Sequence, residues 1–133
     1  KQNIFYLVNA KTYNNENDNS IVLYTKINNT KFLLMGDAGT SVEENLLKNI
    51  KFQNIDFLKV GHHGSDSSTS AFFVNTIKPI NSIISVGKNN RYGHPTSKVL
   101  DNLKKTKIYR TDRDGTIKIK LDKRKTVIQT YPS

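Results

Sequence analysis

The sequence contains no cysteine and no tryptophan, and its 133 residues include only 7 glycines and 3 prolines. Without cysteine there are no disulfides and no thiolate ligands, so a metal could be bound only by histidine, carboxylate or water. No apolar run approaches the length of a membrane-spanning helix, and no signal peptide is visible. The length of 133 residues predicts a single domain over residues 1–133 with a modest core.

Acidic residues are also few, since 11 Asp and Glu stand against 21 Lys and Arg, which gives a formal net charge of +10. An excess of this size favours polyanions such as DNA, RNA, anionic lipid or teichoic-type polymers. The alternative is a solvated basic surface without a specific partner. The chain begins at Lys1 directly before an apolar run, from which we expect it to be a piece of a longer protein.

Hydrophobic periodicity predicts an α/β fold in which a mixed sheet is flanked by helices. Strands are predicted at 4–9, 21–27, 31–35, 55–60, 82–87, 107–110, 116–121 and 126–130. Helices are predicted to begin at Thr40 or Ser41, after the polar turn 65–70, and at Thr96 or Ser97. The first helix is expected to use Glu43 or Glu44 in a capping box and to bury Val42, Leu46, Leu47 and Ile50.

Folds of this kind place their sites in loops after the carboxyl ends of buried strands. Three loops qualify here: 36–39, 61–65 and 87–95. Asp37, in the first, is either an aid to helix capping or a metal ligand. His62 and His63, in the second, lie between two glycines, which favours a functional site over a surface turn because glycine lets the backbone turn sharply. His94 lies in the third, where an ordinary loop residue is the alternative.

Together, one carboxylate and three histidines on three strand-end loops fit a site for metal-assisted hydrolysis. We therefore predict Asp37, His62 and His63 as metal ligands and His94 with Asp37 as catalytic residues. The ligand types suit zinc and manganese equally. No small-molecule cofactor is expected.

Two polar groups are candidates for substrate binding. Ser65 opens a hydroxyl-rich segment before a helix, which is either an anion cradle or ordinary helix capping. Asn90, Arg91 and Tyr92 could grip a sugar-phosphate backbone, with Arg91 as the charged donor and Tyr92 stacking on a base. The lysines at 104–107 and 118–125 are interpreted as a solvated face that could add sequence-independent attraction to DNA.

Five motifs in order carry a resemblance to a known family. They are Asn19-Ser20-Ile21-Val22-Leu23, Phe32-Leu33-Leu34-Met35-Gly36-Asp37, Leu58-Lys59-Val60-Gly61-His62-His63-Gly64-Ser65, the run from Ile84 to Pro95, and Tyr109-Arg110-Thr111-Asp112 with Asp114-Gly115. This pattern resembles the carboxyl-terminal metallo-β-lactamase-like domain of the ComEC family, the membrane-embedded DNA-uptake channels of bacterial competence. The most specific part is the run from Val86 to Pro95.

The resemblance implies half of an αββα sandwich and a metal-dependent nuclease that acts on the DNA strand that is not imported. It implies that Asp37 resembles a metal-bridging aspartate and that one of His62 and His63 resembles the last metal-binding histidine, with His62 preferred because it is nearer the strand. His94 is similar to a site histidine that contacts substrate or assists proton transfer. The resemblance places the parent protein in the bacterial cell membrane and this soluble domain on the extracytoplasmic side, with single- or double-stranded DNA and the rest of the parent as partners.

One departure limits the expected activity. Enzymes of this class also use a His-x-His-x-Asp-His motif, and this sequence has only the three histidines already named. We therefore expect the chain to be the second half of the hydrolase domain, and the isolated piece to bind metal weakly and cut DNA poorly. The alternatives are a non-catalytic basic module that guides DNA and a phosphodiesterase that acts on cell-wall polymers.

Overall fold

In the computed structural model, residues 4–9, 11–52 and 54–133 are described, and they form a six-stranded mixed sheet, a separate two-stranded hairpin and short helices. The six strands lie side by side in chain order: β1 (Ile4–Leu7), β2 (Leu23–Ile27), β3 (Thr30–Leu34), β4 (Phe57–Lys59), β5 (Asn81–Ile84) and β6 (Lys107–Arg110). The hairpin is formed by β7 (Thr116–Leu121) and β8 (Thr126–Tyr131). The α-helices are α1 (Thr40–Asn49), α2 (Ala71–Ile77), α3 (Ser97–Asn102) and α4 (Thr111–Asp114).

The sheet changes from antiparallel to parallel at β3. Strands β1, β2 and β3 pair antiparallel, whereas β3, β4, β5 and β6 pair parallel. The predicted turn between β2 and β3 is confirmed, because Asn28 and Asn29 both have positive φ angles, 48° and 67°. Asparagine tolerates this conformation, which tight hairpins require. The predicted mixed sheet flanked by helices is therefore confirmed.

Helices α1, α2 and α3 lie on one face of the sheet. Each parallel connection passes to the next strand in the same direction, and right-handed crossovers then place their helices on a common side. The core lies between these layers, where Leu33, Leu58 and Ile84 of the sheet belong to one buried cluster with Leu46, Phe73 and Val99 of the helices. Burying each such side chain contributes about 1.5–3 kcal/mol.

The β7–β8 hairpin reaches the sheet from the opposite face. Phe32 of β3 and Phe57 of β4 stack there, with ring centroids 5.0 Å apart. Thr30 points to the same side as Phe32, because side chains alternate along a strand, and its hydroxyl is 3.4 Å from that of Thr126 in β8.

The capping prediction for α1 is wrong. The N-cap is Gly39, which has no side-chain cap bond. Its amide instead donates to the buried carboxylate of Asp18, at 2.7 Å. Glu43 is turned into the protein, where it accepts hydrogen bonds from the amides of Thr69 and Ser70. A carboxylate from a distant segment has thus replaced the local capping box.

Most differences in element bounds are at strand ends. The strand predicted at 55–60 is only Phe57–Lys59, and the strand predicted at 82–87 is Asn81–Ile84. The predicted loop before β2 contains a short 3₁₀ helix, Glu16–Asn19. The one-turn helix α4 precedes β7 where the sequence predicted only a turn.

Candidate active site at the carboxyl ends of β3, β4 and β5

Three strand-end loops bring the predicted site residues together. Asp37 follows β3, His62 and His63 follow β4, and Ser85 directly follows β5. Because these strands are parallel neighbours, their carboxyl ends meet at one edge of the sheet. We call the group formed by Asp37, His62, His63 and Ser85 the site edge.

Asp37 and His63 form the closest pair. Asp37 Oδ1 lies 3.4 Å from His63 Nε2, and both side chains are about half exposed, at 43% and 49%. On the other side of the ring, His63 Nδ1 lies 2.7 Å from the carbonyl oxygen of Ser85. A carbonyl can only accept, so Nδ1 must carry the proton. Nε2, the other ring nitrogen, therefore faces the Asp37 carboxylate, which is the arrangement of a histidine that binds a metal through one nitrogen and a carbonyl through the other.

The turn that carries the histidines is strained but closely held. His62 and His63 both have left-handed φ angles, 45° and 56°, which costs roughly 1–2 kcal/mol for each residue that is not glycine. The His62 amide donates to Gly36 O at 3.0 Å, and His62 O accepts from the Ser65 amide at 2.9 Å. A Cβ on Gly61 would lie only 2.6 Å from Ala38 O. Strain maintained in this way is typical of functional sites.

His62 points to a different part of the site edge. Its ring centroid is 6.4 Å from that of His63 and 5.9 Å from that of His94. Its Nδ1 lies 3.4 Å from the hydroxyl of Ser67. His62 also lines a polar pocket of about 140 Å³, which extends from Asp37 to the N-terminus of α1. The structure therefore brings all three histidines together but pairs His63, rather than His62, with Asp37.

The loop after β5 is closed by a side chain of its own. Asn90 donates to the carbonyls of Gly87 and His94 and accepts from the His94 amide, at 2.7–3.1 Å. Tyr92 stacks on His94 with centroids 5.8 Å apart, and the Arg91 guanidinium lies 5.2 Å from the Tyr92 ring centroid. Arg91 and Tyr92 are exposed, whereas the amide of Asn90 is used within the loop.

The hydroxyl cluster after the histidines is mostly internal. Ser65 is 6% exposed, and its hydroxyl lies 3.0 Å from that of Ser67. Ser68 is buried and donates to Gly61 O. The N-cap of α2 is Ser70, which accepts from the Phe73 amide. Only Ser67 and Asp66 of this segment are exposed, so Ser67 is the hydroxyl best placed to contact a ligand beside His62.

Sequence reasoning missed two polar groups at this edge. Lys59, at the end of β4, has a pKa lowered by burial, an effect that the nearby Asp37 carboxylate opposes. Thr111 of α4 donates to Val86 O and accepts from the Val86 amide, both at 2.8 Å, which fixes the backbone next to Ser85. Thr111 belongs to the Tyr109-Arg110-Thr111-Asp112 motif, which could have pointed to it. The alternating apolar pattern gave no sign that Lys59 would be half buried.

The donor set fits part of a metal site. Carboxylate oxygen and imidazole nitrogen are ligands for zinc and manganese, and Asp37 and His63 offer one of each. Across residues 4–9, 11–52 and 54–133, however, no group of three or more His, Asp or Glu side chains is arranged to hold one ion. Catalytic zinc sites use three protein ligands, of which Asp37 and His63 would supply two.

The fold and the site edge define a mixed α/β protein with an aspartate and histidines at the ends of parallel strands. No family model matches the chain. It is 40% identical over 122 residues to ComE operon protein 3 of Bacillus subtilis, a match over 88% of this chain. It is 34% identical to competence protein ComA of Neisseria gonorrhoeae over 80% of this chain, and 34% identical to recombination protein 2 of Haemophilus influenzae over 69%.

These matches show that the chain belongs to the ComEC family of competence proteins. The chain spans only 11–16% of the length of these relatives. Among the described residues, none of the helices is long and apolar enough to cross a membrane.

Proposed function

We propose that this chain supplies one side of a metal-dependent phosphodiesterase site that acts on DNA during uptake, as part of a membrane-embedded parent protein. The substrate is the DNA strand that is not transported, and the reaction is hydrolysis of its phosphodiester bonds. The proposal is supported by membership of the ComEC family and by one observation above all. Asp37 and His63 face each other across 3.4 Å, and Nδ1 on the other side of the His63 ring is held by Ser85 O.

Asp37 and His63 would hold a divalent cation, zinc or manganese, which when bound polarises a phosphoryl oxygen of the substrate. His63 is oriented for this role because Ser85 O fixes its tautomer. His62 lies between the Asp37–His63 pair and His94, where it can serve as the other imidazole ligand. His94 stacks against Tyr92 at the exposed side of the edge, where it can hold or pass a proton to a leaving oxygen.

The electrostatics of the edge suit an anionic substrate. Lys59 is close enough to Asp37 for their charges to interact, and the exposed Arg91 lies beside Tyr92, which stacks on His94. A phosphodiester that reached His94 would therefore meet a guanidinium and an aromatic ring, the pair that commonly binds single-stranded nucleic acid. Asn90 supports this contact indirectly, since it closes the loop that carries both residues.

The first test uses the whole parent protein with Asp37→Asn and His63→Gln. We expect each variant to lower manganese- or zinc-dependent cleavage of single-stranded DNA at least 100-fold, because loss of a ligand should cost more than the roughly 10- to 100-fold loss typical of a residue that only orients a ligand. Asp101→Asn, on the exposed surface of α3, is the matched control and should keep full activity. Unchanged cleavage in both site variants, with the fold intact by circular dichroism, would contradict the proposal.

The isolated chain provides the second test. Because no group of three ligand side chains is arranged around one ion among the described residues, we expect weak metal binding by calorimetry and little cleavage. Manganese-dependent cleavage at an ordinary enzymatic rate by this chain alone would show that the site is not shared with other residues.

A non-catalytic role in guiding DNA is the second candidate, favoured by the net charge of +10. It predicts that the two site variants keep both DNA uptake and DNA binding. A phosphodiesterase that acts on cell-wall polymers is a third, and a substrate panel that contains DNA and a choline phosphodiester distinguishes it from the first.

A further inference from the structure

The outer face of the β7–β8 hairpin carries two lysines, Lys118 and Lys120, and one aromatic ring, that of Tyr131. In the antiparallel register, Thr116 pairs with Tyr131, Lys118 with Gln129, and Lys120 with Val127. Paired residues point to the same side of a hairpin, so these six side chains share a face. Lys118, Lys120 and Gln129 are exposed, and Tyr131 is 51% exposed. We call this surface the hairpin face.

The tip of the hairpin continues the positive charge. Lys123, Arg124 and Lys125 lie between β7 and β8, and all three are exposed. Within the described part of the chain, neither they nor Lys118 and Lys120 form an ion pair. Asp122 is the one acid in this segment, and its carboxylate accepts from the Lys123 amide. Unpaired cations on an extended surface leave their charge available to a polyanion.

The hairpin face runs from the tip toward the site edge. At one end, the tip shares a pocket with the β2–β3 turn, Asn28 to Thr30, which is the opposite end of the sheet from Asp37. At the other end, Tyr131 lies beside Gly115, directly after α4, and Thr111 of α4 holds Val86 next to Ser85. Six residues of β-strand span roughly 20 Å. The hairpin, with Lys118 and Lys120 on its outer face and the basic tip at its end, therefore extends about that far from the β2–β3 turn toward α4.

We propose that the hairpin face binds a single strand of nucleic acid and leads it toward the site edge. Lys118 and Lys120 contact successive phosphates, the basic tip contacts the strand farther out, and Tyr131 stacks on a base at the end nearest the site edge. This inference rests on the proposed function for the identity of the ligand, DNA. It does not depend on metal binding or on hydrolysis.

The chemistry of the face favours a nucleic acid over an anionic membrane. A peripheral membrane surface needs large apolar side chains that insert below the headgroups, and Val127, partly buried, is the only aliphatic residue here. Nonspecific binding of single strands instead combines a positive track with aromatic side chains on which bases stack. The hairpin face has both, and Gln129, opposite Lys118, accepts a hydrogen bond from the Tyr131 hydroxyl at 3.3 Å.

The test measures binding of a labelled oligothymidylate to the whole 133-residue chain by fluorescence anisotropy, with EDTA present, between about 50 and 200 mM salt. Each phosphate contact contributes a slope of about 0.7 in log affinity against log salt for single strands. Lys118→Gln with Lys120→Gln should therefore lower the slope by about 1.4. Lys48→Gln with Lys51→Gln, at the end of α1 on the helix-covered face, removes the same charge and should leave the slope unchanged.

A second pair of variants tests the stacking contact. Tyr131→Leu should weaken oligothymidylate binding roughly 5- to 100-fold, since stacking is worth about 1–3 kcal/mol per base, whereas Tyr131→Phe should bind as the parent does. Neither variant should affect binding of inorganic polyphosphate, which has no bases.

Equal losses in the two lysine pairs would overturn the inference, because they would show a diffuse effect of net charge. It would also be overturned if the Lys118 and Lys120 variant lost binding to phosphatidylserine vesicles while it kept binding to DNA. Since EDTA removes any contribution from metal, failure here leaves the proposed hydrolase untouched. Unchanged cleavage in the site variants, which would contradict the proposed function, likewise leaves this result standing.

Discussion

Two loops at the site edge are held in place in different ways. In the turn after β4, Gly61, Gly64, Ser65, Ser68 and Thr69 are all buried. Its hydrogen bonds reach other elements, including Gly36 O before α1 and Glu43 within α1. The loop after β5 is exposed from Gly87 to Gly93 except at Asn90. It is closed by hydrogen bonds within itself, which are made by the side chain of Asn90 and by its backbone amide, a donor to Gly87 O.

This difference in loop support predicts how the positions of His63 and His94 respond to substitutions nearby. His63 is fixed by the protein core and by Ser85, so its position should be lost only when the fold is disturbed. His94 is held by hydrogen bonds within its own loop, so the loop can open and His94 can move without disturbing the packing of the core. Rigid support from the scaffold suits a metal ligand, whereas a loop that can open suits a residue that meets a long substrate.

The largest effect is expected at the point where the two loops touch. Gly64 has a φ of +85°, and a Cβ there would lie 2.5 Å from Pro95 Cβ. Gly64→Ala should lower the free energy of unfolding by about 2–4 kcal/mol, because it adds both a steric clash and backbone strain. Urea denaturation measures the change.

Gly93→Ala is the matched control for that variant. Gly93 also has a positive φ, +70°, but nothing lies within 4 Å of the position of a Cβ. Only the backbone strain remains, so a loss of about 1 kcal/mol is expected. Equal losses at the two glycines would show that the close approach of the loops contributes nothing to stability.

Glu43 provides the next test of the support from the core. Glu43 is only 2% exposed, and burial raises the pKa of its carboxyl group, although hydrogen bonds from the amides of Ser70 and Thr69 oppose this. A raised pKa means that the folded state binds the proton more tightly than the unfolded state does. The contribution of Glu43 to stability should therefore be fully present below the ordinary value of 4.5 and be lost as the pH rises through the folded pKa.

Glu43→Gln removes this titration. The free energy of unfolding of the parent chain minus that of the variant should be largest at acid pH and decrease as the pH rises above about 4.5. Near neutral pH the variant should still be less stable, by about 1–3 kcal/mol, because one of two buried amides loses its acceptor. Glu44→Gln, at the exposed neighbouring position, should show neither effect. A difference independent of pH would contradict the assignment.

Local sequence patterns predicted the helices and strands, whereas contacts between distant segments determine how α1 is capped and how the site residues are paired. The spacing of Val42 and Leu46 predicted α1, and the alternation of Ile117, Lys118 and Ile119 predicted β7, because each pattern reports which face is buried. The capping box failed because Glu43 binds a segment 26 residues away, which no local pattern reports. Asp18, in an asparagine-rich loop, gave no signal of its role at Gly39.

The same limit applies to the candidate site. That Asp37, His62, His63 and His94 would meet followed from their positions after parallel strands. The pairing of Asp37 with His63 did not follow, because it depends on two left-handed residues that turn adjacent side chains apart. Their assignment as metal ligands and catalytic residues stays a prediction.

The smallest effect on stability is expected from the self-contained loop. Asn90→Ala removes three hydrogen bonds to Gly87 and His94, but because they lie within an exposed loop the free energy of unfolding should fall by less than about 1 kcal/mol. Hydrogen exchange of the amides from 87 to 94 should nevertheless accelerate at least tenfold, since the loop can then open without global unfolding. Asn89→Ala, at the exposed neighbouring position, should leave exchange unchanged. If Asn90→Ala lowered stability as much as Gly64→Ala does, the loop would be part of the core and the contrast between the two histidines would disappear.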